Sequence, residues 1–450
     1  MIFKQNLHLK RNFGLKLNRG QKVWKKAKSI IPGGTMLYSK NPDLFLPKIW
    51  PTYFTKAKGC CIWDLDGKKY HDLSTMGVGT NILGYAKKEV DNAVINSIKK
   101  STMSTLNCLE EVNLAEKLVD INPWSKMVKF ARTGGEANSI ATRIARAATG
   151  KDKIAVCGYH GWHDWYLAAN FNRNNKNLDK HLIKGLKIGG VPSSLKNTVF
   201  PFEYGNYKQL ENILKTNSLG AIKMEICRNT LPDTKFLKYI RDICNKKNIV
   251  LIFDECTTGF RETFGGLYKK IKIKPDILIL GKALGNGYAI TSVLGKREIM
   301  SYAQESFISS TFWTERSGYV AALKTLEIME EVKSWQTISK IGKKIQSFWS
   351  DLFNYYTIDF KINGIPALTN FVLKNNHDKY KTFITQEMLK YRILAGTSIY
   401  PSVSHTDRIL NIYFDRFEGI VKKIKQCELG MDIDKLLETR VPKKNFQRLN

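Results

Sequence analysis

Through the middle of the chain, short apolar runs alternate with stretches whose apolar residues recur at helical spacing. The runs fall at residues 127–131, 153–157, 221–226, 249–253, 276–280 and 289–294, each the length of a buried strand rather than a helix. After the first run, Ala137, Ile140, Ala141, Ile144, Ala145 and Ala148 line one face of a predicted helix. This alternation predicts an α/β domain around a mostly parallel sheet flanked by helices. Beyond about residue 325 the pattern changes. Charged helices are expected over 323–331 and 338–348, then short strands at 367–373 and 409–413, as in a smaller α+β domain. A helix around 20–30 and the apolar segment 61–65 place the N-terminal part with that smaller domain or over the site. The expected division is an N-terminal segment 1–65, a large domain 66–325 and a C-terminal small domain 326–450. A chain of 450 residues has ample length for two cores.

In open α/β sheets, ligands gather beyond the carboxyl ends of the strands, where loops and helix N-termini converge. Four polar groups fall there. Lys282 follows an apolar strand and precedes a glycine-rich turn, and a desolvated lysine in that position can have its pKa lowered enough to form an imine. Taken alone, such a lysine is more often a surface residue. Asp254 ends the strand 249–253, where a buried carboxylate would keep a pyridine nitrogen protonated; the blander reading is a helix N-cap before Thr257 and Thr258. Thr133, Gly134 and Gly135 open the helix marked by Ala137 and Ile140. Their backbone amides and the helix N-terminus suit a phosphate. Tyr159 and His160 follow the strand 153–157, and an aromatic ring there can stack on a flat cofactor. Each signal is weak by itself. Together they describe one cofactor site.

Charge and cysteine content change this picture little. Seventy-two Lys and Arg against 40 Asp and Glu leave a net charge of +32, which would suit an anionic partner. The basic residues are spread along the whole chain, without the aromatic-interleaved run expected of single-strand binding, so nucleic acid is not the expected partner. The first 28 residues lack Asp and Glu. They also lack a secretory apolar core and cleavage site, so an amphipathic opening helix is expected there in preference to a targeting segment. No apolar stretch approaches the roughly 20 residues of a membrane span. Eight cysteines show no CxxC pair and no Cys/His spacing for zinc. His160 and His163 have no matching carboxylate in sequence, so no metal is expected. Reduced thiols in a cytoplasmic enzyme fit this pattern.

The motifs as a set resemble the class III aminotransferases of PLP fold type I, in the branch containing glutamate-1-semialdehyde aminomutase. They are Asp64-Leu65-Asp66-Gly67, Thr133-Gly134-Gly135-Glu136-Ala137, Gly158-Tyr159-His160-Gly161, Asp254 to Arg261, and Gly281-Lys282-Ala283-Leu284-Gly285. The resemblance runs from Ile31-Pro32-Gly33-Gly34 to Phe312, more weakly to the end. It implies pyridoxal 5′-phosphate as cofactor and Lys282 as its Schiff-base lysine. By the same resemblance Asp254 is the partner of the pyridine nitrogen, Tyr159 the stacking residue, and Thr133, Gly134 and Gly135 the phosphate loop. His160 and Glu225 are implied near the cofactor. Thr311 is implied to reach the cofactor phosphate of a neighbouring subunit in a homodimer.

Two departures bear on the reaction. Where the mutase pattern has an arginine after Pro-Gly-Gly, this chain runs Thr35-Met36-Leu37-Tyr38-Ser39-Lys40, and the stretch 189–195 lacks the longer mutase gating loop. The expected reaction is transfer of an amino group from a donor to a keto or aldehyde acceptor. The intramolecular aminomutase is the alternative, and a basic binding protein with a degenerate site is the remote one.

Overall fold

The computed structural model describes residues 18–171, 177–181, 183–227 and 230–442. The opening segment ahead of residue 18, for which an amphipathic helix is expected, lies outside them; the helix that follows spans Arg19–Ile30. Next come β1 (Phe54–Lys58), β2 (Cys61–Asp64) and β3 (Lys69–Leu73), which pair antiparallel in sequence order.

The six apolar runs all become strands, within one or two residues of the expected bounds. They are β4 (Met127–Ala131), β5 (Lys153–Cys157), β7 (Leu219–Met224), β8 (Val250–Glu255), β9 (Ile277–Leu280) and β10 (Thr291–Gly295), joined by a short edge strand, β6 (Val199–Pro201). They form a seven-stranded sheet in the order β4-β10-β9-β8-β7-β5-β6. Only β10 runs antiparallel to its neighbours. Every residue of β7, β8, β9 and β10 is buried, which is why these strands read as continuous rather than alternating apolar runs.

Both faces of the sheet are packed. Ile222, Met224, Leu251, Phe253 and Leu278 point into the larger apolar cluster. Ile154, Val156, Ala221, Ile252 and Ile279 pack on the other side against Ala137, Ile140, Ala141 and Ile144 of the helix Gly134–Thr149. That helix starts with a capping box between Thr133 and Glu136 and stops at Gly150 in the left-handed region.

Toward the C-terminus, β11 (Phe360–Asn363), β12 (Thr369–Leu373) and β14 (Ser398–Ile399) form a three-stranded sheet, while β13 (Ile393–Ala395) adds parallel to β3. N-terminal and C-terminal segments thus build one sheet together. The expected helices at 323–331 and 338–348 are the interiors of Arg316–Glu331 and Ser334–Tyr355.

One element is corrected. Residues 409–413, expected as a strand, lie in the helix Asp407–Glu428. Five apolar-rich residues fit either period; their helical continuation is visible only further on, where Ile409, Leu410, Tyr413, Phe417, Ile420, Val421 and Ile424 form one buried face.

Candidate active site

At the carboxyl ends of β4, β8 and β9, three segments meet around Cys256. A Cβ on Gly134 would lie 3.4 Å from the Cys256 sulfur, and one on Gly281 would lie 3.2 Å from it. This brings the start of the Gly134–Thr149 helix, the end of β8 and the turn carrying Lys282 into one place. Lys282 opens a short 3-10 turn after β9 with φ at +41°, a strained backbone for a side-chain-bearing residue. Its Nζ donates to Thr257 Oγ1 at 2.7 Å.

Asp254 is buried at the end of β8. Its Oδ2 lies 2.8 Å from His160 Nδ1, and its Oδ1 accepts from the Cys256 N–H at 3.2 Å. The other imidazole nitrogen faces the Cys157 carbonyl at 3.2 Å; a carbonyl only accepts, so Nε2 is the donor. Burial alone would raise the Asp254 pKa, but the His160 hydrogen bond and the charges of His160 and Lys223 hold it well below the usual carboxylate range. Asp254 is therefore ionised, with His160 locked against it.

Tyr159 is set by Glu225, which follows β7 and accepts the Tyr159 N–H through Oε2 at 3.0 Å. The intervening contact requires glycine: Gly158 has φ at +109°, and a Cβ there would come within 2.6 Å of Glu225 Oε2. The Tyr159 ring meets Tyr166 edge-on at 5.9 Å. The segment then packs directly on the phosphate-loop candidates, since a Cβ on Gly135 would lie 2.7 Å from His163. Thr133, Gly134 and Gly135 thus occupy a helix start closed in by Trp162, which stacks on His163 at 4.5 Å. Thr311 stands apart from this cluster. Its side chain is exposed, on a turn Thr311–Thr314 held beside the helix start by Arg132, which donates to the Phe312 carbonyl at 2.7 Å, and by Trp313, which donates to Glu136 at 3.2 Å.

Several neighbours escaped sequence reasoning. Thr257 was read as part of a polar turn, yet it holds the Lys282 amine. Lys223 is a charge inside an apolar strand, an interruption that could have been noticed. Residues Met76–Gly79 pack against the Lys282 turn; all four have positive φ, Val78 included. Gly77 and Val78 line a cavity of about 350 Å³ with Trp24, Thr35, Lys40 and Tyr53. The fold also gathers Cys60, Cys61 and His71 with potential metal ligand atoms within 4.8 Å of one another, a grouping invisible in cysteine spacing. Cys61 and His71 are cross-strand partners in contact at 3.5 Å. Burial, then the charges of Lys69 and Arg408, lower the His71 pKa. All eight cysteines are free thiols.

The residues present fit pyridoxal phosphate: an amine at one strand end, an ionised buried carboxylate at the next, and a glycine-opened helix start alongside. Such a set of groups suits the cofactor of a PLP-dependent transferase. The class-III aminotransferase family matches residues 47–390, and the chain belongs to that family of PLP-dependent enzymes. A 3-aminobutyryl-CoA aminotransferase of Cloacimonas acidaminovorans is 32% identical, covering 92% of the chain and 99% of that protein. A glutamate-1-semialdehyde 2,1-aminomutase of Nitrosopumilus maritimus is 31% identical over 90% of the chain and 99% of its own length. Among solved structures, the FumI protein of Sphingopyxis sp. MTA144, in a PLP internal aldimine form, matches the fold with a TM-score of 0.82 and 22% identity, covering 93% of this chain and 100% of that one. No helix among the described residues is long and apolar enough to cross a membrane.

Proposed function

We propose that this chain transfers an amino group between separate donor and acceptor molecules, the acceptor being a ketone or aldehyde, with Lys282 as the proton-transferring amine and Asp254 as the fixed counter-charge. The observation that carries this reading is the placement of the Lys282 amine, held on Thr257 just after β9, and an ionised Asp254 on the neighbouring β8 at the same end of the sheet. PLP, when bound, supplies the electron sink that makes the proton on the nitrogen-bearing carbon of the substrate labile. Thr133, Gly134 and Gly135 would hold its phosphate, Tyr159 would pack on its ring, and Asp254, which His160 holds in place, would serve its ring nitrogen. Glu225 holds Tyr159 in place through the backbone. Lys282 Nζ removes and returns the substrate proton as general base and acid. The cavity beside Gly77 and Val78 is the substrate approach.

The same residues would serve an aminomutase, the name carried by several relatives. The stretch Thr35 to Lys40, without the arginine of the mutase pattern, favours transfer between two molecules. A single-turnover experiment decides: PLP-loaded enzyme given one amino donor and no acceptor releases a free keto product if it is a transferase. Isomerisation of an amino aldehyde with no released keto product would overturn the reading.

Two further parts belong to this proposal. The chain acts as a homodimer in which Thr311 reaches the partner subunit's cofactor phosphate; supporting this, Phe307 and Phe312 beside it are 88% and 69% exposed, unusual for large apolar side chains next to a site. A division into a large domain at 66–325 and a smaller one from segments 1–65 and 326–450 is supported by a separate apolar cluster around Trp349, Phe371 and Tyr413, although Leu73 and Met76 belong to that cluster and β3 to the smaller domain's sheet. Eight free thiols support a reducing, cytoplasmic setting.

A further inference from the structure

Lys223 lies on β7 in the middle of the large sheet and is 0% exposed. Its cross-strand partners, Val156 on β5 and Ile252 on β8, are apolar. A methionine would fill the same volume without desolvating an amine. What the lysine adds is a charge and a donor, and both are directed at the cofactor site. Nζ donates to the Asn138 carbonyl at 3.1 Å, in the first turns of the helix that begins at Gly134, and sits 5.2 Å from the centre of the Trp165 ring. On β8, Asp254 is two residues beyond Ile252 and so on the same face. Asn138 Oδ1 and Thr142 Oγ1, also buried on that helix, have no hydrogen-bond partner, marking this layer as polar beneath the phosphate loop.

We propose that Lys223 is a positioning residue of the cofactor site: a buried cation, anchored on the Asn138 carbonyl and the Trp165 ring, that stands behind Asp254, fixes the charge balance of the Asp254–His160 pair and seats the phosphate-binding helix. This rests on the reading of Lys282 and Asp254 as a PLP site. Burial pushes the amine down to about 7 against the pull of Asp254 and Cys256. Those two groups of the β8 end are the titratable neighbours that bear on it; Asn138 and Trp165, from the two helices packed on it, carry no charge.

The test compares wild type with Lys223→Met, which removes charge and donor, and Lys223→Gln, which keeps a donor for the Asn138 carbonyl but no charge. In the PLP-loaded enzymes, the bound cofactor's absorbance is titrated with alkali. Losing a cation behind Asp254 favours the protonated chromophore, so the midpoint should rise by about half a pH unit or more in both variants, with PLP held several-fold more weakly. In the cofactor-free proteins, stability is followed against pH. A buried lysine with a depressed pKa lowers stability while it must be charged, so wild type should gain stability between about pH 7 and the ordinary lysine range near 10 relative to Lys223→Met. An unmoved midpoint in both variants overturns the role, as does a midpoint kept in Lys223→Gln, which would make the hydrogen bond and not the charge the agent. Matching cofactor-free pH profiles would show that the Lys223 amine titrates in the fold as it does in water, and would overturn its burial behind the site. Failure of wild type to bind PLP at all is a different result, and it removes the underlying reading instead.

Discussion

Two buried aspartates stand at opposite ends of the same sheet and are satisfied in opposite ways. Asp276, just before β9, accepts from Arg241 at 2.9 Å, from Lys296 at 2.8 Å and from the Leu251 N–H at 2.8 Å. Every partner is part of the scaffold, and the cations reach water. Asp254, at the far end of β8, has one imidazole, one backbone N–H and a lysine in the layer behind it. Around Asp254 the backbone is strained at Lys282 and over Met76–Gly79. A carboxylate held by two cations and a backbone N–H ties β8 and β9 to the helices around them; one held by a single imidazole and one N–H keeps acceptor capacity free for a further donor. Burial alone does not separate the two roles, since both are buried; the direction of their partners does.

The sharpest way to break this contrast is at the site itself. Lys282→Ala should abolish turnover, with proton transfer alone accounting for about 10²–10⁴-fold, and should eliminate the visible absorbance of bound cofactor while leaving the thermal midpoint close to wild type. Persistence of both activity and absorbance would remove Lys282 from the mechanism. Next in size is the exchange of fates between the aspartates. Asp254→Asn should cost about 10²-fold in kcat, whereas Asp276→Asn should cost about 2 kcal/mol of stability through its weakened charge-assisted hydrogen bonds, with kcat per folded molecule unchanged. Urea unfolding beside steady-state kinetics reads both. The sign of the pH effect follows from the depressed Asp254 pKa: its contribution is complete above the ordinary carboxylate range and is lost as pH falls through the lower folded value. The stability difference between wild type and Asp254→Asn should therefore shrink below about pH 4.

Gly158→Ala is a smaller perturbation, about 2 kcal/mol from the positive φ and the Glu225 contact, and should also weaken PLP retention by moving Tyr159. A variant with wild-type cofactor affinity would show that Glu225 does not set the ring. The smallest effect is expected from Thr311→Ala, a few-fold loss of PLP affinity appearing only in the dimer; the same loss in a monomeric variant would place Thr311 on its own subunit's site.

How much of this was legible beforehand depends on the range of the interactions. The strands of the large sheet were readable because burial on both faces makes each a run of apolar residues, and the start of the Gly134–Thr149 helix because its cap is local. Residues 409–413 were misread because a short apolar run satisfies two periods until the rest of the helix is considered. Thr257, Lys223 and the cavity at Gly77 and Val78 were missed for another reason: each acquires its role from contacts across the sheet or between distant segments.

By itself, the sequence determined the α/β class, the strand-end positions of Lys282, Asp254 and Tyr159, and the glycine-opened helix, since all of these follow from local periodicity and from residue chemistry at the strand ends. Only the tertiary structure decided that His160 locks Asp254, that Glu225 sets Tyr159 and that a buried lysine stands behind the site. Those are statements about direction and neighbourhood, and side-chain direction across a sheet is set by strand order and register, which no single segment of the chain contains.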